Sequence, residues 1–242
     1  MASTPIHLLA GGPGSDVTHL AALLRQALAS TGRAEPRVAY IGAASGDDAG
    51  FFRRLARVLE QAGAGAVTLA PTCGQAPRRE DLLRRALAES DAIFVSGGDV
   101  DAGMKVLAAT GAAALLRERL DAGIPYIGLS AGSILLGTEW IAWDESAGEP
   151  AVRVFPCLGF APLICDTHSE DDDWSELREL LKLRPPGTRG YGISSSAMLC
   201  VHADGRLDVS GGEVCCLRRS REGVDGTEMG RRSRTGGLLT RI

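Results

Sequence analysis

The chain has 242 residues, 45% of them apolar and 23% charged, with a formal net charge of −4. That balance excludes a disordered or fibrous chain, and the slight acidity makes nucleic acid a poor partner. No apolar run reaches the roughly 18 residues of a membrane span, and Met1–Gly14 lacks a basic start followed by a long apolar stretch, so a cytoplasmic protein without a membrane segment is expected.

Ile6–Ala10 reads as a strand, and Gly11-Gly12-Pro13-Gly14 as the turn after it. Asp16 opens a helix to about Thr31, with Leu20, Leu23, Leu24, Ala27 and Leu28 on one face. Arg37–Gly42 is the next strand. Phe51, Leu55, Val58 and Leu59 mark a second amphipathic helix, stopped by Gly63. Strands at Ala66–Ala70, Ala92–Ser96 and Ile124–Leu129 follow, separated by a helix at Arg78–Glu89 and by Asp99–Ala122, broken near Gly111. Strands spaced by helices of this length imply right-handed crossovers. The expected fold is α/β: a mostly parallel sheet covered by helices on both faces.

Beyond Ser130 the pattern changes. Short strands are expected at Val152–Phe155, Leu163–Cys165, Gly190–Ile193, Met198–His202 and Leu207–Ser210, with a helix at Asp173–Leu183. They read as an antiparallel extension of the same sheet, giving one domain over residues 1–217. Arg218–Ile242 carries seven arginines against three acids and reads as a mobile tail. The six cysteines make no C-x-x-C pair and suit reduced thiols, with Cys215 and Cys216 as inward and outward residues of a strand. No metal site or cofactor is expected.

The sharpest motif is Gly128-Leu129-Ser130-Ala131-Gly132, set between the strand Ile124–Ile127 and the helical run Ser133–Leu136. G-x-S-x-G in a strand–turn–helix context is a nucleophile elbow: it exposes a strained serine and sets the Ala131 N–H at a helix start, where an oxyanion is stabilised. An ordinary capping serine is the plainer alternative. Phe94-Val95-Ser96-Gly97-Gly98-Asp99 ends another parallel strand, so it should lie near the elbow at the carboxyl edge of the sheet. Gly97 and Gly98 let backbone N–H groups approach a substrate, with Gly98 as second oxyanion donor and Asp99 as helix cap. Of the four histidines, His168 lies on a loop between a strand and a helix and is the expected base; His7, His19 and His202 suit structural roles. The run Glu170-Asp171-Asp172-Asp173 reads as helix-capping carboxylates rather than a metal site. Trp140, Trp143 and Trp174 suit core or pocket-lining positions.

The Gly-Gly-Asp loop, the GLSAG elbow and Asp166-Thr167-His168 resemble the serine peptidases of family S51, which include aspartyl dipeptidase (peptidase E) and cyanophycinase. The resemblance runs from about Leu8 to Leu217, with its specific part between Val95 and His168. It implies a class I glutamine-amidotransferase-like α/β fold in which Ser130 is the nucleophile, His168 the base, and Gly98 with Ala131 the oxyanion hole. It also implies a small peptide substrate, cleaved at an aspartyl or isoaspartyl residue. The segment that carries a glutamate in many members reads here Gly192-Ile193-Ser194-Ser195-Ser196, with Ser195 at the acid's position. For the third member of the triad Glu145 ranks first, then Asp144, then Asp166. Gly97, Asp99 and Asp166 are the candidate substrate contacts, and a monomer or homodimer is expected. Two other readings stay open: an esterase, and a catalytically weakened member that binds a small molecule or partner.

Overall fold

The computed structural model describes residues 4–11, 16–144 and 151–229. In its first half, β-strands and α-helices alternate as the apolar periodicity requires. They are β1 (Ile6–Leu9), α1 (Val17–Leu28), β2 (Arg37–Ile41), α2 (Ala49–Gln61), β3 (Ala66–Leu69), α3 (Arg78–Ala88), β4 (Ala92–Val95), α4 (Val100–Ala109), α5 (Ala112–Asp121) and β5 (Tyr126–Leu129). Gly111, at φ 72°, separates α4 from α5, as a residue in the left-handed region must end a helix. The second half holds α6 (Ala131–Leu136), β6 (Glu139–Asp144), β7 (Ala151–Pro156), β8 (Ile164–Thr167), α7 (Ser175–Lys182), β9 (Arg189–Ile193), β10 (Ala197–Val201), β11 (Leu207–Gly211), β12 (Val214–Arg219) and β13 (Val224–Met229).

The central sheet has seven strands in the order β11-β10-β1-β5-β4-β2-β3. β3, β2, β4, β5 and β1 are mutually parallel, while β10 and β11 add antiparallel at the β1 edge. Successive residues of a strand face opposite sides, and the two cores divide accordingly. In β4, Ala92 and Phe94 pack with α1 and α2, whereas Ile93 and Val95 pack with α5 and α6. Phe94 stacks on Tyr40 of β2 with ring centroids 5.6 Å apart. Burying each such side chain is worth roughly 1.5–3 kcal/mol, and both faces of the sheet contribute.

The C-terminal half departs from a simple extension of this sheet. Only β10 and β11 extend it; β6 and β7 form a separate hairpin, and β13-β12-β9-β8 form a second sheet. Within that sheet β8 and β9 are parallel and are joined through α7. Order also runs past the expected boundary at 217. Arg218 and Arg219 complete β12, and Ser220–Gly223 turns the chain into β13, which pairs along all of β12. The polar sequence Val224-Asp225-Gly226-Thr227-Glu228-Met229 carries no alternation strong enough to announce a strand; its partner β12 supplies the hydrogen bonds. The remainder of the tail lies outside the described residues. Cys215 and Cys216 are consecutive residues of β12 and both half-buried, with Cys215 packed against the core.

Candidate active site

β4 and β5 are neighbours with Val95 opposite Gly128, so the loops that leave them emerge side by side at the carboxyl edge of the sheet. Between β5 and α6 the backbone turns at Ser130, which sits at φ 53° and ψ −125°. A non-glycine residue there is strained by about 1–3 kcal/mol and persists only where the surroundings impose it. Here they do: the Ser130 N–H donates to the Leu9 carbonyl of β1 at 2.9 Å, and Ser133 Oγ donates to the same oxygen at 2.8 Å. The flanking glycines are required by contact. A Cβ on Gly132 would lie 2.0 Å from the Val95 carbonyl oxygen, and one on Gly128 would lie 2.7 Å from the Ser133 nitrogen.

Gly97 lies against the serine, since a Cβ there would stand 3.1 Å from Ser130 Cβ. Gly98 has φ 142° and packs on the turn after β2, where its Cβ would fall 2.1 Å from the Ala44 carbonyl oxygen. Asp99 accepts the Ala102 N–H at 2.8 Å and caps α4. Ala131 is the first residue of α6 and is buried beside the serine.

His168 arrives from the second sheet. It follows β8 directly, at φ 48°, and its N–H donates to the Ile193 carbonyl of β9 at 3.0 Å. Its Nε2 lies 2.7 Å from Ser130 Oγ. A serine hydroxyl bonded to an imidazole nitrogen is the pairing that general-base activation needs. The other histidines are engaged elsewhere. His19 bonds the Ser196 carbonyl at 2.7 Å, His202 bonds Asp208 at 2.8 Å, and His7 is buried in β1.

Asp166 is buried in β8, with Oδ1 accepting the Thr167 N–H at 2.7 Å and Oδ2 left without a hydrogen-bond partner. Burial drives its carboxyl up to about 7; Glu176 and Asp172 add to the shift, and the Thr167 N–H opposes it. The positive φ of His168 breaks the strand alternation that would otherwise set the two side chains on one face. Glu145 lies outside the described residues, and of Asp144 only the backbone is described.

The acidic run after His168 divides its work. Asp172 receives the N–H groups of Trp174 and Ser175 and the Ser175 hydroxyl, so it secures the start of α7. Asp173 pairs with Arg178 at 3.1 Å. Glu170 does not cap the helix: its Oε1 accepts the Ser195 N–H at 2.9 Å, tying the His168 loop to the turn after β9. Sequence reasoning treated these four acids as one group, and only the pairing of β8 with β9 sets Glu170 apart. Among the described residues no three His, Cys, Asp or Glu side chains converge as a metal site. Trp140 and Trp174 are core residues, Trp174 lying on Gly192, whereas Trp143 is half-exposed and donates to Glu176 at 3.1 Å.

The chain is similar to several known proteins. A cyanophycinase from Trichormus variabilis is 26% identical over 214 residues, covering 86% of this chain and 72% of the relative. A peptidase E from Shewanella denitrificans is 41% identical over 54 residues, 22% of this chain and 23% of the relative. The crystal structure of a peptidase from an acI-B1 actinobacterium superposes with a TM-score of 0.69 over 96% of each chain at 16% identity, a likeness of fold. The sequence profile of peptidase family S51 spans residues 6–208, from β1 into β11 and across every segment that builds the serine–histidine pair, and the chain belongs to that family.

Proposed function

We propose that the chain is a serine peptidase that hydrolyses small peptides at aspartyl or isoaspartyl residues. The observation that carries this reading is the 2.7 Å contact between Ser130 Oγ and His168 Nε2, made by a serine held in a strained elbow. Ser130 Oγ attacks the scissile carbonyl carbon while His168 Nε2 takes its proton. The carbonyl oxygen becomes an oxyanion facing the N–H groups of Gly98 and Ala131. Collapse expels the amine, which receives the proton from His168, and water then hydrolyses the Ser130 ester by the same route.

An acidic substrate group finds support at the start of α4. Lys105 and Arg153 converge there on Asp101, at 2.5 and 3.0 Å, two residues beyond the Asp99 cap. A guanidinium there matches a substrate carboxylate in charge and in its two-pronged shape. A second reading, cleavage within cyanophycin, draws on the similarity to a cyanophycinase over 86% of this chain and 72% of that protein.

The test is hydrolysis of a dipeptide panel with Asp-X, β-Asp-X and neutral first residues, run beside cyanophycin and a simple ester. We expect the aspartyl or isoaspartyl members to be cleaved fastest. Ser130→Ala should lower kcat by several orders of magnitude with the fold intact. Undiminished hydrolysis by that variant would remove the serine mechanism. Preference for cyanophycin would select the second reading, and turnover of the ester alone an esterase.

A further inference from the structure

We propose that Asp47 is a positioning residue of the oxyanion hole: its carboxylate fixes the turn after β2, and the Gly97-Gly98 loop is seated on that turn. The inference rests on the serine peptidase reading above and concerns how the second oxyanion donor is kept in place.

The turn at residues 42–47 closes on a single carbonyl. The N–H groups of Ser45 and Asp47 both donate to the Gly42 oxygen at 2.9 Å, and the Ser45 hydroxyl donates to it at 3.0 Å. Asp47 ends the turn at φ 57°, a left-handed conformation that aspartate tolerates better than most residues. From there its carboxylate reaches the turn after β3. Oδ2 accepts the N–H groups of Thr72 and Cys73, each at 2.6 Å, and Oδ1 accepts the Thr72 hydroxyl at 3.1 Å. Thr72 is fully buried, so its donors have to be met inside the protein, and an ionised acceptor meets them more strongly than a neutral one. Gly42 leaves the space this needs, since a Cβ there would lie 2.8 Å from Asp47 Oδ1.

The same turn carries the glycine loop. The Ser96 N–H donates to the Ile41 carbonyl at 3.0 Å, and the Asp99 N–H donates to the Ala44 carbonyl at 2.8 Å. Gly97 and Gly98 are therefore suspended between two points on one short stretch of backbone. Ala44 is also the close neighbour of Gly98, its carbonyl oxygen 2.1 Å from where a Cβ would stand, and its Cα is 3.1 Å from the Cβ position of Gly103 on α4. At the other side of the loop, Gly97 packs on Ser130. A shift of Ala44 thus passes directly to the Gly98 N–H. An oxyanion donor acts only within roughly 2.7–3.1 Å of the developing charge, so a small displacement costs rate. Asp48, the next residue, has a different task, accepting the Phe51 N–H at 2.6 Å as the cap of α2.

The experiment compares Asp47→Gly, Asp47→Asn and Asp48→Ala on the best substrate of the panel. Glycine keeps the left-handed backbone and removes the carboxylate; asparagine keeps an acceptor oxygen and also tolerates that backbone. We expect Asp47→Gly to lower kcat on the order of 10- to 10²-fold, with KM within about threefold of the parent. Asp47→Asn should recover most of the loss, and Asp48→Ala should stay near the parent. A second readout is inhibition by the aldehyde analogue of that substrate's acyl half, which forms a tetrahedral adduct on Ser130. Its affinity for Asp47→Gly should fall in step with kcat. A tie that serves stability alone would lower the unfolding midpoint and leave both quantities unchanged in the folded variant. An Asp47→Gly kcat within about threefold of the parent, or an unchanged aldehyde affinity, overturns the proposal. Should thermal unfolding show Asp47→Gly unfolded at the assay temperature, Thr72→Val carries the test: a severalfold lower kcat supports the proposal and an unchanged one overturns it. Ser130→Ala, run in parallel, keeps the two conclusions apart. Persistent hydrolysis there defeats the peptidase reading, whereas its loss beside a fully active Asp47→Gly defeats this proposal alone.

Discussion

Ser130 and Gly98 meet the same difficulty with opposite chemistry. Both occupy positive φ, but Ser130 carries a side chain, the hydroxyl proposed as the reactive group, and its backbone N–H bond to Leu9 holds it in place. Gly98 has no room for a side chain at all, with the Ala44 carbonyl where a Cβ would go. Gly98→Ala should therefore displace the loop that carries the proposed oxyanion donor and lower kcat on the order of 10²-fold. Gly32→Ala is the control, because Gly32 has φ 67° with nothing within 4 Å of its Cβ position. It should cost about 1–2 kcal/mol of stability in urea unfolding and leave kcat unchanged. Equal kcat in the two variants would mean that the site does not depend on the position of the Gly98 N–H. Both motifs, the elbow and the glycine pair, were legible in the sequence because their demands fall on neighbours along the chain. Glu170 was not, since nothing within its own run of acids distinguishes it from Asp171.

The caps show how elements deliver the site. Asp48 receives the Phe51 N–H at 2.6 Å and caps α2, and Asp99 receives the Ala102 N–H at 2.8 Å and caps α4. Each bond satisfies a helical N–H that has no partner within its own helix. Replacing either by alanine should cost about 1 kcal/mol in urea unfolding. The functional consequences should differ, because Asp99 directly follows Gly97-Gly98. Asp99→Ala is expected to lower kcat/KM severalfold, and Asp48→Ala to leave it near the parent value; equal rates would show that the glycine loop holds its shape without the cap. At the same scale, the second sheet carries His168 at the end of β8. β8 gains its register from β9, α7 covers both, and the Trp174 ring lies so close to Gly192 that a Cβ there would stand 2.4 Å from it.

Across the whole molecule, the buried ionisable groups outside the serine–histidine pair set how stability varies with pH. His7 of β1 is buried, and neither ring nitrogen has a hydrogen-bond partner among the described residues. Burial, then repulsion from His202, lowers its pKa from 6.5 to about 4. Between those values the unfolded chain binds a proton that the folded chain refuses. The His7 contribution is therefore fully present above pH 6.5 and is lost as pH falls towards 4, by roughly 2 kcal/mol at pH 5. Asp166 works in the opposite sense. Its folded pKa of about 7 lies above the usual 3.8, so the folded state gains stability as pH falls through 7. Urea unfolding of His7→Leu at pH 8 and pH 5 separates the two. The variant should lose less stability between these values than the parent, and an equal loss would place the acid sensitivity elsewhere.

The sequence by itself determined the alternating first half, both flanking loops of the candidate site and the choice of Ser130 and His168 as its proposed nucleophile and base. Periodicity, Gly128-Leu129-Ser130-Ala131-Gly132 and the strand end before Gly97-Gly98 all act within a few residues, so composition and order suffice to read them. The tertiary structure decided what depends on distant partners. It split the C-terminal strands between the central sheet and a second one, and made a strand of the polar segment Val224–Met229. It also brought His168 against Ser130 across 38 positions, and drew Glu170 to Ser195 rather than to the helix it precedes. Such contacts rest on strand register and on backbone hydrogen bonds whose donors and acceptors are common to every residue. Side-chain identity specifies them only through the packing of the whole chain.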